Sequence, residues 1–446
     1  MAVFVPFVLP GEKVEATIRQ EKPGFARGLV SQLIEASSDR VEARCPYFRL
    51  CGGCHYQHIP YGRQLEFKAE ILRETLQRVA KIELKPEIHL HASPPWNYRN
   101  RTRLQVQTAP EFALGYFQFG SHNFLPVREC PISSPLLNQA MARLLELRGL
   151  NCPSAVREIE LFTDAADEHL LAWAFCRREA DQSDLLRWAE ALRRELSEIS
   201  GVTFFSARRL EEDESQTETK SLAQSGANSI RYQTKDHEYQ VGAGAFFQVN
   251  RFLIDEMVSV VTGNASGDLA LDLYAGVGLF SAAMARNFHH ILGVEASQTS
   301  YADFVQNVPA NVKAVGARTE DYLTEDRLNE DYLKKDYRRS DHPRSRPARK
   351  RPDLVVLDPP RAGAGKAVIR SLVELGAPRV RYVSCDPATL ARDLGPLLAA
   401  GYRIEEAHLF DLFPETFHIE SVMLLDRKST RLNSSHGGIS RMPSSA

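Results

Sequence analysis

The sequence predicts a multi-domain α/β protein: a small OB-like β-barrel at the N-terminus, a central α+β domain with a cysteine cluster, and a C-terminal Rossmann-like domain. Three observations predict it. Short alternating apolar segments separated by turn residues run from Phe4 to Val41. Cysteines are concentrated between Cys45 and Cys54. From Val241 onward apolar strands alternate with helical segments, and one strand runs into a glycine turn. The expected boundaries are 1–44, 45–240 and 241–427, followed by a polar, aperiodic tail over 428–446 that resembles read-through rather than folded chain.

With 446 residues, 43% hydrophobic and 25% charged, the chain is long enough for two or three cores of ordinary soluble type. It has no apolar run of membrane-spanning length and its start lacks the pattern of a signal peptide, so no membrane association and a cytoplasmic, monomeric protein are expected. A net charge of -2 excludes a globally basic nucleic-acid protein but not local basic patches. Seven cysteines, an odd number unevenly placed, point to metal or catalysis rather than disulfides.

The N-terminal elements are Val14–Ile18 and Ala26–Val30, set off by Pro10-Gly11 and similar turns. Such a pattern suits a generic β module as well as a small barrel whose cationic face binds RNA. At Cys45-Pro-Tyr-Phe-Arg-Leu-Cys51-Gly-Gly-Cys54 the two glycines let the backbone fold tightly round a centre. A fourth ligand is needed for tetrahedral zinc or for a cubane cluster. Cys130 and Cys152, each before a proline, are candidates; Cys176, in an apolar run, reads as core.

A helix is expected over Gln64–Lys81, with Leu65, Ile71, Leu72, Leu76 and Val79 at helical spacing. A strand over Tyr98–Val106 places Arg99, Arg101 and Arg103 on one face, suited to phosphate oxygens or to a solvated edge. The span from Ile132 to Tyr239 alternates helices and strands, such as Asp184–Leu196 and Glu158–Phe162, without evident chemistry.

In the C-terminal third, Leu269–Ser281 reads as a buried strand, a glycine turn at Gly276 and Gly278, and a helix start. A second strand ends at Glu295, where a ribose diol is held in nucleotide-type sites. Phe280 follows where a pyrophosphate would need a third glycine, which shifts the expected ligand from a dinucleotide to S-adenosylmethionine. The strand Leu354–Leu357 ends in the rigid Asp358-Pro-Pro-Arg361. The strand before Ser384-Cys385-Asp386-Pro387 puts a thiol at the carboxyl rim beside a helix N-terminus, which lowers a thiol pKa. The strand His418–Leu425 buries Glu420, which must pair with a cation or carry a raised pKa suited to proton abstraction. Parallel topology is expected to gather these residues at one rim. The basic segment 331–351 reads as an exposed insertion.

Taken together, Cys45-x5-Cys51-x2-Cys54 with Cys130, Phe246-Phe-Gln248-Val-Asn250, Asp272-Leu-Tyr274-Ala-Gly276-Val-Gly278, Asp358-Pro-Pro-Arg361, Ser384-Cys385-Asp386-Pro387 and Phe413-Pro-x-Thr416-x-His418-x-Glu420 resemble, in order, the iron–sulfur RNA 5-methyluridine methyltransferases. The resemblance is to the branch acting on 23S ribosomal RNA and runs from Phe4 to Arg427. It implies a TRAM domain at the N-terminus, a [4Fe-4S] cluster on Cys45, Cys51, Cys54 and Cys130, and an S-adenosylmethionine-dependent domain. Leu279 departs from the polar residue some members carry.

The same resemblance implies addition of Cys385 to carbon 6 of a uracil, which activates carbon 5 toward the methyl donor, and removal of the carbon-5 proton by Glu420. It further implies that Gln248 and Asp358 hold the flipped base and the cofactor, that Tyr274 and Glu295 hold the adenosine part of the cofactor, and that Phe246 belongs to the cofactor and substrate motif; the glycine turn itself suggests Gly276 and Gly278 as cofactor contacts, and the strand face suggests Arg99 and Arg101 as RNA contacts. A transfer RNA T-loop uridine is the alternative target. An enzyme methylating an exocyclic nitrogen, or a non-catalytic cluster-bearing RNA-binding protein, would need no Cys385 and Glu420 pair.

Overall fold

The computed structural model describes residues 1–177, 179–210, 213–324 and 351–427. The basic segment expected over 331–351 and the tail over 428–446 therefore lie essentially outside the described residues. No helix among the described residues is long and apolar enough to cross a membrane.

The N-terminal module consists of β1 (Ala2–Phe4), β2 (Lys13–Lys22) and β3 (Phe25–Glu35), in the order β1-β3-β2. Lys22-Pro23-Gly24 turns the chain, with Gly24 at φ 93°, so β2 and β3 pair as a long antiparallel hairpin. The closed barrel expected over 1–44 is not formed: β1 adds in parallel to β3 and three strands leave the sheet open. Arg40 closes the module by a two-pronged ion pair with Glu12, at 2.5 and 2.7 Å, which holds the Glu12 carboxyl down at about 2.

After the cysteine segment come α1 (Tyr61–Ala80) and β4 (Ile88–His91). A seven-stranded sheet is then built from β5 (Arg101–Gln107), β6 (Ala113–Phe117), β7 (Phe124–Pro126), β8 (Val156–Thr163), β9 (Leu170–Cys176), β10 (Ile199–Leu210) and β11 (Asp213–Gly226). Its order is β11-β10-β9-β8-β5-β6-β7. The helices α2 (Pro135–Glu146) and α3 (Gln182–Glu195) cover one face. Each starts on a side-chain cap, Ser134 accepting from Leu137 N and Asp181 from Ser183 N and Asp184 N.

A hairpin of β12 (Ser229–Gln233) and β13 (Glu238–Gly242) precedes α4 (Ile254–Thr262). The remaining elements alternate: β14 (Gly267–Leu273), α5 (Leu279–Met284), β15 (Phe288–Glu295), α6 (Gln298–Asn307), β16 (Val312–Gly316), α7 (Thr319–Thr324), β17 (Leu354–Leu357), α8 (Gly365–Leu375), β18 (Arg379–Ser384), α9 (Pro387–Ala399), β19 (Tyr402–Phe410) and β20 (Glu420–Arg427). Their eight-stranded sheet has the order β16-β15-β14-β17-β18-β20-β19-β4. Both faces are covered. In β17, Val355 and Leu357 enter one core while Leu354 and Val356 enter the other, the two-residue period of a strand buried on both sides.

Two sequence expectations change here. β20 runs antiparallel to β18, so Glu420 reaches the carboxyl rim as the first residue of its strand, whereas Asp358 and Cys385 lie just beyond the ends of theirs. Parallel topology alone does not gather the site. In addition, α1 and β4, placed by sequence with the cysteine module, belong to the C-terminal unit: β4 pairs with β19, and Ala69, Leu72 and Leu76 share a core with Leu271 and Leu394. The apolar stripe of α1 needs an apolar surface, and this sheet supplies it.

Candidate active site

Continuing the β18–β20 register one step past Ser384 and Ser421 sets Cys385 level with Glu420. Asp386 caps α9 by accepting from Ala388 N and Thr389 N, and Pro387 takes the first helical position, so the chain stops being a strand at Cys385. On the neighbouring strand, Asp358 follows Leu357 directly, and its backbone N–H donates to Leu273 O. Gln248 Nε2 lies 3.5 Å from Asp358 Oδ2, at the limit of a hydrogen bond. Gln248 is held in turn by Asn100, whose Nδ2 donates to Gln248 O at 2.9 Å and whose N–H donates to Val249 O. Asn250, fully buried, donates to Ser93 Oγ and to the carbonyls of Asp411 and Leu412, fastening the Gln248 loop to the segment that leads to Glu420.

The electrostatics are those of acids crowded in a dry cleft. Burial raises Glu420 well above the usual carboxylate range, the Asp358 carboxyl adds to this, and Arg361 opposes it. Asp358 is pushed up to about 7 by burial and by Asp272. Asp272, which accepts a 2.6 Å bond from Ser281 Oγ, is itself raised to about 7. The thiol expected to be acidic is the reverse: burial, Glu420 and Asp358 push Cys385 up to about 12, and Arg361 counters only in part. A helix N-terminus acts within its first turn, and burial together with two adjacent carboxyls outweighs it. Arg361 thus belongs to the site. Its position in the Asp358-Pro-Pro-Arg run was the available signal.

The glycine turn separates two roles. At Gly276, φ 57°, an added Cβ would meet nothing within 4 Å, so the space above the turn is open to a ligand. At Gly278, φ 90°, a Cβ would fall 2.4 Å from Phe304, so this glycine serves close packing. The Glu295 carboxylate accepts from Gly276 N at 2.7 Å and from Ser297 N at 2.6 Å; each oxygen keeps a lone pair for a ribose hydroxyl. Tyr274 sits at φ 63°, a strained position for a side chain, and its hydroxyl donates to Glu320. These residues fit the adenosine part of S-adenosylmethionine. Phe246 is 57% exposed beside buried Phe247.

Away from this rim, Cys45, Cys51, Cys54 and Cys130 line one cavity of about 410 Å3, together with Arg99 and Tyr116. Gly53 N donates to Cys51 Sγ, Gln57 holds the Cys45 N–H, and Asn138 holds that of Cys130. Cys152 and Cys176 instead pack around the core of the seven-stranded sheet. Of the two candidates left open by sequence, the fold brings Cys130 to the cavity. Among the described residues no three His, Cys, Asp or Glu side chains are drawn together tightly enough to grip a single ion. Arg101 does not project as a free phosphate contact: it lies over Phe162 and Trp173 with Glu160 at 3.6 Å. Arg103 pairs with Glu158.

This is an α/β methyltransferase-type sheet with a thiol and a buried carboxyl at its carboxyl rim. Residues 60–428 match the model of the tRNA (uracil-5-)-methyltransferase family, and the chain belongs to that family: it is an RNA methyltransferase of the uracil-C5 type. It is 31% identical to an uncharacterized RNA methyltransferase of Streptomyces avermitilis over 95% of this chain and 92% of the relative. A counterpart from Caldanaerobacter subterraneus subsp. tengcongensis is 29% identical over 96% and 93%. Among solved structures, the fold is similar to that of Pyrococcus abyssi tRNA (uracil-54, C5)-methyltransferase in complex with S-adenosyl-L-homocysteine, with a TM-score of 0.69, 24% identity and 95% of each chain covered.

Proposed function

We propose that the protein methylates carbon 5 of one uridine in RNA through a covalent bond between Cys385 and carbon 6. The observation that carries this reading is the pairing of Cys385 with Glu420 across adjacent strands, with Asp358 and Arg361 beside them. Asp358, poised at about 7, is a fitting acceptor for the thiol proton near neutrality, and Arg361 favours the resulting thiolate. The thiolate adds to carbon 6, and electron density moves to carbon 5. S-adenosylmethionine, when bound over Gly276 and Glu295, supplies the methyl group. Glu420, a strong base once ionised in its buried seat, then takes the carbon-5 proton; the electron pair of that C–H bond reforms the double bond and the sulfur leaves. Gln248 and Asp358 hold the polar edge of the flipped base, whose extrusion costs on the order of a few kcal/mol.

Four thiols round one cavity suit an iron–sulfur cluster of the [4Fe-4S] type, which Cys45, Cys51, Cys54 and Cys130 would hold. It would cross-link the 45–54 segment to the chain at Cys130. The N-terminal sheet is proposed to contact RNA.

Ribosomal 23S RNA is the target favoured by the four-cysteine pattern. A transfer RNA T-loop uridine is the second reading, supported by the likeness in fold to the uracil-54 enzyme over 95% of both chains. Mapping 5-methyluridine in both RNAs from a deletion strain separates them. The mechanism is tested with Glu420→Gln: incubation with substrate RNA and cofactor should accumulate a denaturation-resistant protein–RNA adduct that is lost when Cys385→Ala is added. Normal cofactor binding with no adduct would overturn it.

A further inference from the structure

The loop between β19 and β20 carries a ring that the mechanism does not use. Phe417 is 49% exposed, three residues before Glu420, on a backbone otherwise buried from Pro414 to Thr416. It is not a loose surface side chain. Its ring rests on His55, with centroids 4.4 Å apart, and on His418, at 4.5 Å. His55 is backed by Phe119 at 5.8 Å, and Phe119 by Phe7 of the N-terminal module at 4.9 Å. His55 is also tied to this loop through the backbone, since its N–H and that of Tyr56 both donate to Glu415 O. On the other side His418 Nδ1 lies 3.4 Å from Arg361 Nη2, and Arg361 acts on both Cys385 and Glu420. A supported aromatic face therefore stands one ring away from Arg361 and three residues ahead of Glu420.

Resting on the reading of the cleft as a uracil site, we infer that Phe417, seated on His55 and His418, is the stacking platform for an unpaired nucleobase next to the target uridine. A base flipped into the cleft leaves its neighbour with one π-face uncovered, and an aromatic ring at the rim replaces the lost stacking partner. Aromatic stacking is tolerant of base identity, so the platform suits single-stranded RNA of any flanking sequence. The surroundings fit this occupant. Burial and Arg361 hold His418 down to about 4, so it presents a neutral ring at physiological pH. Arg361 and Arg99 supply positive potential near it.

The test is binding of a 15-nucleotide single-stranded RNA with one central uridine to the whole protein, in the presence of S-adenosylhomocysteine, read by fluorescence anisotropy. Phe417→Ala should weaken binding about 10-fold, in the range of one lost base–aromatic stack, and Phe417→Trp should restore it. An abasic site at one position flanking the uridine should weaken the wild type about as much and leave the Phe417→Ala protein unaffected. A duplex of the same sequence should bind both proteins equally. The inference is overturned if Phe417→Ala binds the single strand like the wild type, if Trp fails to restore binding while melting temperatures match, or if the duplex loses as much as the single strand. Because binding needs no turnover, a failure of the covalent mechanism would show as a missing Glu420→Gln adduct while these affinities still rank the variants.

Discussion

Cys385 shows how far one residue's chemistry depends on its neighbours. A thiol beside a helix N-terminus suggests a ready thiolate, yet burial, and after it the acids on the adjoining strands, hold its proton on, at about 12. The thiolate that the proposed mechanism requires is scarce in the free protein, and Arg361 is the group that raises its share. Arg361→Ala should therefore lower kcat/KM at pH 8 by about 10-fold or more, since a loss of one pKa unit of stabilisation is worth about that factor. Arg361→Lys should retain part of the rate. The pH profile supplies the check: with Asp358 at about 7 accepting the proton of a thiol held at about 12, log kcat/KM should rise up to about pH 7 and level off above it, and a profile that keeps climbing to pH 9 would contradict Asp358 as the acceptor. A second residue-scale consequence concerns stability. Asp272 is raised from its ordinary value to about 7, so the folded state holds a proton that the unfolded chain has released. Its contribution is complete below about pH 4 and is lost as pH rises through 7. Asp272→Asn should flatten the fall in thermal stability between pH 5 and 8.

Among the elements, α1 is the one whose role the sequence half conceals. Gln64, Lys68, Leu72 and Leu76 recur at spacing four, and all four are buried. Leu72 and Leu76 join the core, whereas Gln64 and Lys68 grip the loop before β20. Lys68 Nζ donates to Asp411 Oδ1 at 2.6 Å and to Phe413 O at 3.0 Å, and Gln64 exchanges two bonds with Glu415. Glu415 holds φ 66° only because those bonds and the two from His55 and Tyr56 fix its peptide. The loop that aims Glu420 is thus clamped from a helix more than 300 residues upstream. Lys68→Ala leaves Asp411 buried and unpaired, a loss of about 3–5 kcal/mol, and should lower both the melting temperature and kcat. The double variant Lys68→Met, Asp411→Leu should regain stability but not activity; equal recovery of both would show that the ion pair does not position the loop. Two polar residues on an apolar helical stripe were the signal, visible in sequence but without a partner until the fold supplied one.

Across the whole molecule, Tyr98-Arg99-Asn100 joins everything that matters. Tyr98 donates to Pro414 O on the loop that leads to Glu420, Arg99 lines the cysteine cavity, and Asn100 holds the Gln248 segment. The cysteine cavity and the catalytic rim are therefore two ends of one buried strut, although they are far apart in sequence. If the four cysteines hold a cluster, anaerobically purified protein should be brown, with iron and acid-labile sulfide in equal amounts. Cys130→Ala should abolish both and lower methylation through displacement of the strut, with RNA affinity and cofactor affinity measured separately. Colourless protein with one zinc would overturn the assignment.

What the sequence determined by itself is the local chemistry. Cys385 at a strand end, Asp358 before two prolines, the Gly276 turn and the Cys45, Cys51 and Cys54 spacing are short-range patterns, set by backbone conformation and side-chain type within a few residues. Tertiary structure decided what long-range contacts control: that β20 turns antiparallel to bring Glu420 level with Cys385, that α1 and β4 pack onto the C-terminal sheet, and that the N-terminal strands stay open. It also decided which direction each pKa moves, because burial and the charges within a few ångströms belong to the assembled fold rather than to any one stretch of chain.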